Sequence, residues 1–141
     1  EQVVLVDRRR PKAFDRVHQA VVDVAPWVAA KIDFREARLR DCALPEGASV
    51  LGVHACGVRT DQCIDQALKT GGAVALMPCC YDKAAARRID SPFLEALGVE
   101  QTLDIERTVR LRGAGYAVEW SAIPRCITPM NRVLIGVRAE P

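Results

Sequence analysis

Two rhythms of apolar and polar positions run along this chain. Short unbroken apolar runs, Val3-Val4-Leu5-Val6, Val50 to Val53 and Ala73 to Met77, read as buried strands. Between them, apolar residues recur at helical spacing. Phe14, Val17, His18, Val21 and Val22 form one such stripe, which Pro11 can open and Pro26 interrupts. This predicts a short buried strand closing at Asp7, one helix from residue 11 to 24, and a second short piece around Trp27 to Lys31. His18 on that stripe reads as a packed or half-exposed histidine rather than a ligand. Ile32 to Leu39 alternates weakly and is rich in arginine, as an edge strand would be. Arg40-Asp41-Cys42 closes it, and Pro45-Glu46-Gly47 turns the chain.

The most informative stretch is Ser49 to Asp82. Its two apolar runs stop abruptly, the first at His54-Ala55-Cys56-Gly57 and the second at Pro78-Cys79-Cys80-Tyr81. Between them Thr60-Asp61 can cap a helix whose apolar positions Ile64, Ala67 and Leu68 face one way, and Gly71-Gly72 can end it. A strand, helix, strand unit with continuous apolar strands implies a parallel sheet covered on both faces, with ligands beyond the carboxyl ends of the strands. Both cysteine-bearing tetrapeptides then fall on one rim.

Lys83 to Arg88 favours helix. Ser91-Pro92 starts another, with Phe93, Leu94 and Leu97 as its apolar side and Gly98 as its end. Thr102 to Arg112 is a further helix, its inner face of Leu103, Ile105, Val109 and Leu111 imperfectly spaced. Gly113-Ala114-Gly115 resembles part of a dinucleotide loop, but it precedes a strand, so it closes a helix and makes a turn. Tyr116 to Ile123 and Arg132 to Val137 are strands joined through Pro124 to Asn131.

Composition narrows the class. The 141 residues are 50% apolar and 27% charged, enough for one globular domain with a real core. A net charge of +2 does not announce a polyanion partner. No apolar run is long enough to span a bilayer, and Glu1-Gln2 leads into a strand rather than a signal peptide. Six cysteines lying mostly in apolar runs argue for reduced thiols in a cytoplasmic protein.

His54-Ala55-Cys56-Gly57 with Thr60-Asp61, then Pro78-Cys79-Cys80-Tyr81, then Thr128-Pro129-Met130-Asn131 before a last strand, resembles a group of class I S-adenosylmethionine-dependent methyltransferases. These share H-x-C-G-x-x-T-D after the fourth strand, P-C-C after the fifth and T-P-K-N near the end. The glutathione S-transferase C-terminal-domain-containing protein and a group of tRNA 2′-O-methyltransferases belong to this circle. The resemblance implies an α/β Rossmann-like methyltransferase sheet with its seventh strand inserted antiparallel. The element order maps onto strands two to seven of that sheet. Strand one and its glycine-rich loop, which would lie mid-sheet and cradle the methionine part of the cofactor, are not in this sequence. Hydrogen-bonding edges would then stand open on both sides of the gap, so a segment preceding these residues or a partner chain is expected to complete the sheet.

The resemblance assigns roles residue by residue. Asp7, after the second strand, would hold ribose hydroxyls, its alternative being a turn residue or a partner of Arg8 to Arg10. Asp41 would meet the adenine amino group, or is a turn aspartate. His54 would accept a proton from a hydroxyl or orient a base nitrogen, while Cys56 and Gly57 let the backbone turn beside the sulfonium. Thr60 and Asp61 cap the following helix or touch substrate. Pro78, Cys79 and Cys80 form the other wall, Tyr81 offers a catalytic or stacking face, and Asn131 joins the substrate side. The expected activity is methyl transfer from S-adenosylmethionine to RNA, with a catalytically inactive RNA- or protein-binding module as the alternative. Met130 departs from the group's lysine, and the zinc-binding segments of the tRNA enzymes do not occur in these residues.

Two other chemistries fit less well. His54, Cys56, Cys63, Cys79 and Cys80 include no paired C-x-x-C knuckle for zinc or an iron–sulfur cluster, and adjacent residues at a strand end point in opposite directions, so no metal is expected. A zinc deaminase needs H-x-E and P-C-x-x-C, and neither is present.

Overall fold

The computed structural model describes residues 2–81 and 92–139. The helix expected over Lys83 to Arg88 and the start signal at Ser91 lie outside the described residues. Contacts divide the chain into two compact units, Glu1–Ala43 and Leu44–Pro141.

In the first unit, strand β1 (Val3–Asp7) pairs in parallel with β2 (Ile32–Glu36), Val3 opposite Ile32 and Asp7 opposite Glu36. Helix α1 (Phe14–Val24) and a 3-10 turn at Pro26–Val28 connect them. The helix starts three residues later than expected, because Pro11 only closes a turn with its carbonyl accepting from the Phe14 N–H at 2.9 Å. Phe14 anchors the helix, 4.8 Å from the ring of Phe34 and stacked on half-buried His18 at 5.6 Å. In the rest of the apolar stripe, Val17 and Val21 are exposed and Val22 is half-buried. β1, expected to be buried, is 51% exposed at Val3 and 38% at Leu5, since a two-stranded sheet leaves most of its surface uncovered.

The second unit holds a four-stranded sheet in the order β3-β4-β6-β5. β3 (Val50–Val53) and β4 (Val74–Met77) are parallel, joined by helix α2 (Val58–Thr70). β6 (Arg132–Arg138) lies between β4 and β5 (Tyr116–Ala122), antiparallel to both. Written in the strand numbers of the methyltransferase sheet, the two ladders read 3-2 and 4-5-7-6. The expected antiparallel insertion is present, and β1 and β3 belong to separate sheets.

The core forms on one face. Val74 and Leu76 of β4, Leu134 of β6 and Tyr116 of β5 are buried with Ile64 and Ala67 of α2 and with Leu103 and Leu111 of α3 (Phe93–Gly113). On the other side of β3, Leu51 and Val53 are exposed, so the described residues do not cover both faces as continuous apolar strands suggest. Gly98 breaks α3 with a non-helical conformation (φ 77°, ψ 178°), as the sequence anticipates, and a second helical run then continues to Gly113. The Tyr116 hydroxyl reaches two buried carbonyls, Ala67 at 2.9 Å and Gly72 at 3.0 Å, fastening the end of α2 to β5.

Glycine positions give a test of this packing. A methyl group at Gly72 would be driven into the backbone carbonyls of Ala48 and Gly47, which cannot yield as a side-chain tip can. Gly113 has open space around it at the end of α3. In urea titrations Gly72→Ala should lose about 1–3 kcal/mol or more, whereas Gly113→Ala should gain about 0.4–1 kcal/mol by restricting the unfolded chain.

Candidate functional site

β3 and β4 run in register with Val53 opposite Met77, so the chain leaves both strands side by side. The two tetrapeptides meet there. The His54 N–H donates to the Met77 carbonyl at 3.2 Å, and the Gly57 N–H to the Cys80 carbonyl at 3.1 Å. Holding both bonds forces a sharp turn. His54 adopts a left-handed backbone (φ 55°), which costs an L-residue about 1–2 kcal/mol. The Cys56 N–H donates back to the His54 carbonyl at 2.9 Å, and Gly57 (φ 61°, ψ −131°) takes a conformation that glycine alone adopts readily. The His54 side chain is exposed.

Gly57, rather than Thr60-Asp61, stands at the cap of α2. The expected capping residues fall in the first turn instead: the buried Thr60 hydroxyl donates back to the Ala55 carbonyl, and Asp61 turns to Arg107. Thr60 therefore braces the H-A-C-G turn from beneath and does not face a substrate.

Three thiols converge on the rim. Cys56 Sγ lies 2.8 Å from Cys79 Sγ, Cys79 Sγ lies 3.6 Å from Cys80 Sγ, and all three sulfurs lie within 4.8 Å of one another. The argument that neighbouring residues point apart does not apply, because β4 ends at Met77 and side-chain alternation ends with it. These three side chains are a candidate metal-holding group. Hydrogen bonds from Cys79 and then Cys80 hold Cys56 below the ordinary thiol range, while burial, followed by the hydrogen bond to Cys56, pushes Cys79 up to about 12. Cys63 is apart from the group: it is buried on α2, and desolvation beside Asp61 pushes its thiol up to about 11.

Beneath the P-C-C-Y wall lies a chain of charges. Asp61 accepts from Arg107 Nε at 2.9 Å and Nη2 at 3.3 Å. Arg107 is 4% exposed, and its Nη1, 3.8 Å from Asp104, has no hydrogen-bond partner. Asp104 accepts from the Tyr81 hydroxyl at 3.0 Å and pairs with Arg132 at 3.1 Å, and Arg132 also reaches Glu100 at 3.2 Å. The Tyr81 ring lies 5.7 Å from the Arg107 guanidinium and 5.4 Å from that of Arg132. Burial, and next the Asp104 charge, raise the Tyr81 phenol above its usual range, so it stays protonated at neutral pH. With its hydroxyl and ring both engaged, Tyr81 positions the wall rather than offering a free stacking face. Burial likewise raises Asp104, against the opposing pull of Arg132.

Asp104, Arg107 and Arg132 escaped the sequence reading. The signal for Asp104 and Arg107 was the imperfect apolar spacing of α3, whose inner face carries Thr102, Asp104 and Arg107 beside Leu103 and Leu111; Arg132, at the start of β6, had none. Among the remaining candidates, Pro78 is buried, and Asn131 Nδ2 donates to the Ile123 carbonyl at 2.6 Å, closing the β5–β6 loop rather than pointing to a ligand. Asp7 and Asp41 belong to the first unit. Both are exposed, Asp7 accepting from the Arg9 N–H at 3.4 Å and Asp41 pairing with Arg40 at 3.6 Å. Among the described residues, no helix is long and apolar enough to cross a membrane.

Removing the Arg107 guanidinium leaves the partly exposed Asp61 carboxylate without its partner, while Asp104 keeps Arg132 and the Tyr81 hydroxyl. Arg107→Ala should cost about 3 kcal/mol in denaturant unfolding, the low end for a broken buried pair because solvent reaches Asp61. The raised Asp104 carboxyl also sets a sign: its protonated form suits the fold, so its contribution is full below the unfolded-state pKa and declines as pH rises through the folded value. The stability difference between wild type and Asp104→Asn should therefore move in favour of wild type as pH falls through the carboxylate range, in parallel urea titrations.

A scan against models of protein families gives no match, and neither does a search of curated proteins. Solved structures do match. An rRNA methylase from Streptococcus thermophilus superposes with a TM-score of 0.62 at 13% identity over 99% of this chain and 74% of its own. A protein from Corynebacterium glutamicum gives 0.59 at 16% identity over 99% and 62%, and the S-adenosylmethionine-dependent methyltransferase SibL, in its apo form, gives 0.54 at 18% over 99% and 44%. This chain thus spans between 44% and 74% of these proteins. Its fold is the Rossmann-like α/β fold of the methyltransferases, built from strands two to seven of their sheet.

Proposed function

We propose that these residues carry the acceptor-side rim of an S-adenosylmethionine-dependent methyltransferase acting on RNA. The observation that carries this reading is the meeting of H-A-C-G and P-C-C-Y at the carboxyl ends of β3 and β4, where open α/β sheets place their ligands. The fold shared with SibL and with the streptococcal rRNA methylase supports it.

The bound cofactor supplies a methyl group already activated on sulfur, so the protein has mainly to orient and exclude water. The residues present fit its nucleoside end: the Asp7 carboxylate is exposed with one long hydrogen bond and has oxygens left for two vicinal hydroxyls. Asp41, equally exposed, is the candidate for the adenine amino group. His54 is held outward on a rigid turn, where its imidazole can accept the proton of an acceptor hydroxyl or fix a base nitrogen. Tyr81, Asp104 and Arg132 position the opposite wall. The competing reading, a module that binds RNA or protein without turnover, draws on the internal engagement of Thr60, Asp61 and Tyr81, whose polar groups are spent within the protein.

The test is isothermal titration of the full-length protein with S-adenosylmethionine, followed by transfer of labelled methyl to total RNA. Binding and transfer are expected, and His54→Ala should lower transfer about 100-fold or more while leaving cofactor affinity within a few-fold. An absence of binding heat at millimolar cofactor would replace the enzyme with the binding module.

A further inference from the structure

The geometry points to a binding site for a thiophilic d10 cation, Zn²⁺ in the first instance, formed by Cys56, Cys79 and Cys80. This site does not depend on methyl transfer and would stand without it. The three sulfurs come from two loops whose backbones are tied together by the His54–Met77 and Gly57–Cys80 hydrogen bonds, so their convergence is built into the rim. A zinc–sulfur bond of about 2.3 Å in tetrahedral geometry spaces its sulfurs about 3.8 Å apart. Cys79 and Cys80, at 3.6 Å, already stand near that spacing, and Cys56 and Cys79, at 2.8 Å, need to part by about 1 Å.

The donor set determines what would bind. Three sulfurs, with no carboxylate grouped with them among the described residues, suit zinc or copper(I) and offer nothing to Mg²⁺ or Ca²⁺. An iron–sulfur cluster takes four cysteines, and among the described residues only three gather here. Access is from solvent, because Cys80 is exposed and Cys56 and Cys79 are half-buried, unlike the buried Cys42 and Cys63. Binding displaces three thiol protons to solvent, leaves a zinc–trithiolate of net charge −1, and places water at the fourth position, the arrangement of an open rather than a closed zinc site.

The experiment uses the full chain, reduced and stripped of metal, titrated with Zn²⁺ against a chromophoric chelator and with Co²⁺ as a spectroscopic probe. One equivalent of zinc and sulfur-to-cobalt charge-transfer absorption are expected. Cys56→Ser and the exposed Cys80→Ser should each weaken zinc at least 100-fold, whereas Cys126→Ser, at an exposed thiol elsewhere, should leave it unchanged. Circular dichroism identifies any variant that has not folded, and Cys80→Ser serves if Cys56→Ser has not. Uptake below a tenth of an equivalent, or absorption surviving both rim variants, would overturn the site. If protein prepared without reductant carries a Cys56–Cys79 disulfide, zinc uptake after reduction supports the site, and no uptake after reduction overturns it in favour of a redox couple.

Discussion

Parallel pairing of β3 with β4, register held at Val53 opposite Met77, is the constraint on which the second unit depends. Because side chains alternate, a slip of one residue would turn Leu51 toward α2 in place of Gly52. There is no room for it: even a methyl on Gly52 would stand 2.8 Å from Leu76 and 3.0 Å from the Cys63 sulfur. The close approach of α2 thus locks the ladder, and the ladder delivers two turns to one place. Antiparallel insertion of β6 completes the sheet and brings Arg132 to the same end.

A second layer of organisation is electrostatic. Asp61 on α2, Asp104 and Arg107 on α3, and Arg132 on β6 alternate in sign and join three elements with the loop that carries Tyr81. Burying charges is costly, and their mutual attraction roughly offsets that cost only while every partner is present. The network therefore contributes less to net stability than to geometry: it sets where Tyr81 stands at the end of the P-C-C-Y turn.

The fold was legible because strand runs, glycine stops and the antiparallel ending are local signals. Gly71 caps α2 in the left-handed conformation, Gly98 breaks α3, and Gly115 turns into β5, each for a reason visible in the residue itself. The meeting of the two tetrapeptides was legible as a shared rim, since topology alone places them there, but the convergence of their thiols was not, because side-chain alternation stops where β4 does. Other features were not. Nothing local distinguishes Arg107, buried against Asp61 46 residues away, from the solvated arginines around it. Thr60 looked like a cap because its residue type suits one, yet Gly57 reached that position first, being able to make the turn. The exposed faces of β1 and β3 also ran against the pattern, because a continuous apolar strand reports a preference for cover and not which segment provides it.

The left-handed backbone at His54 has a consequence for how this position can vary. Before any chemistry is weighed, the turn discriminates among residue types: β-branched side chains are penalised most, glycine least, with asparagine, aspartate and histidine tolerated between. Histidine is among the residues that pass this conformational filter. Replacement by valine would add backbone strain to the loss of the ring, whereas asparagine keeps the bend and removes only the imidazole, separating shape from side-chain chemistry at a single position.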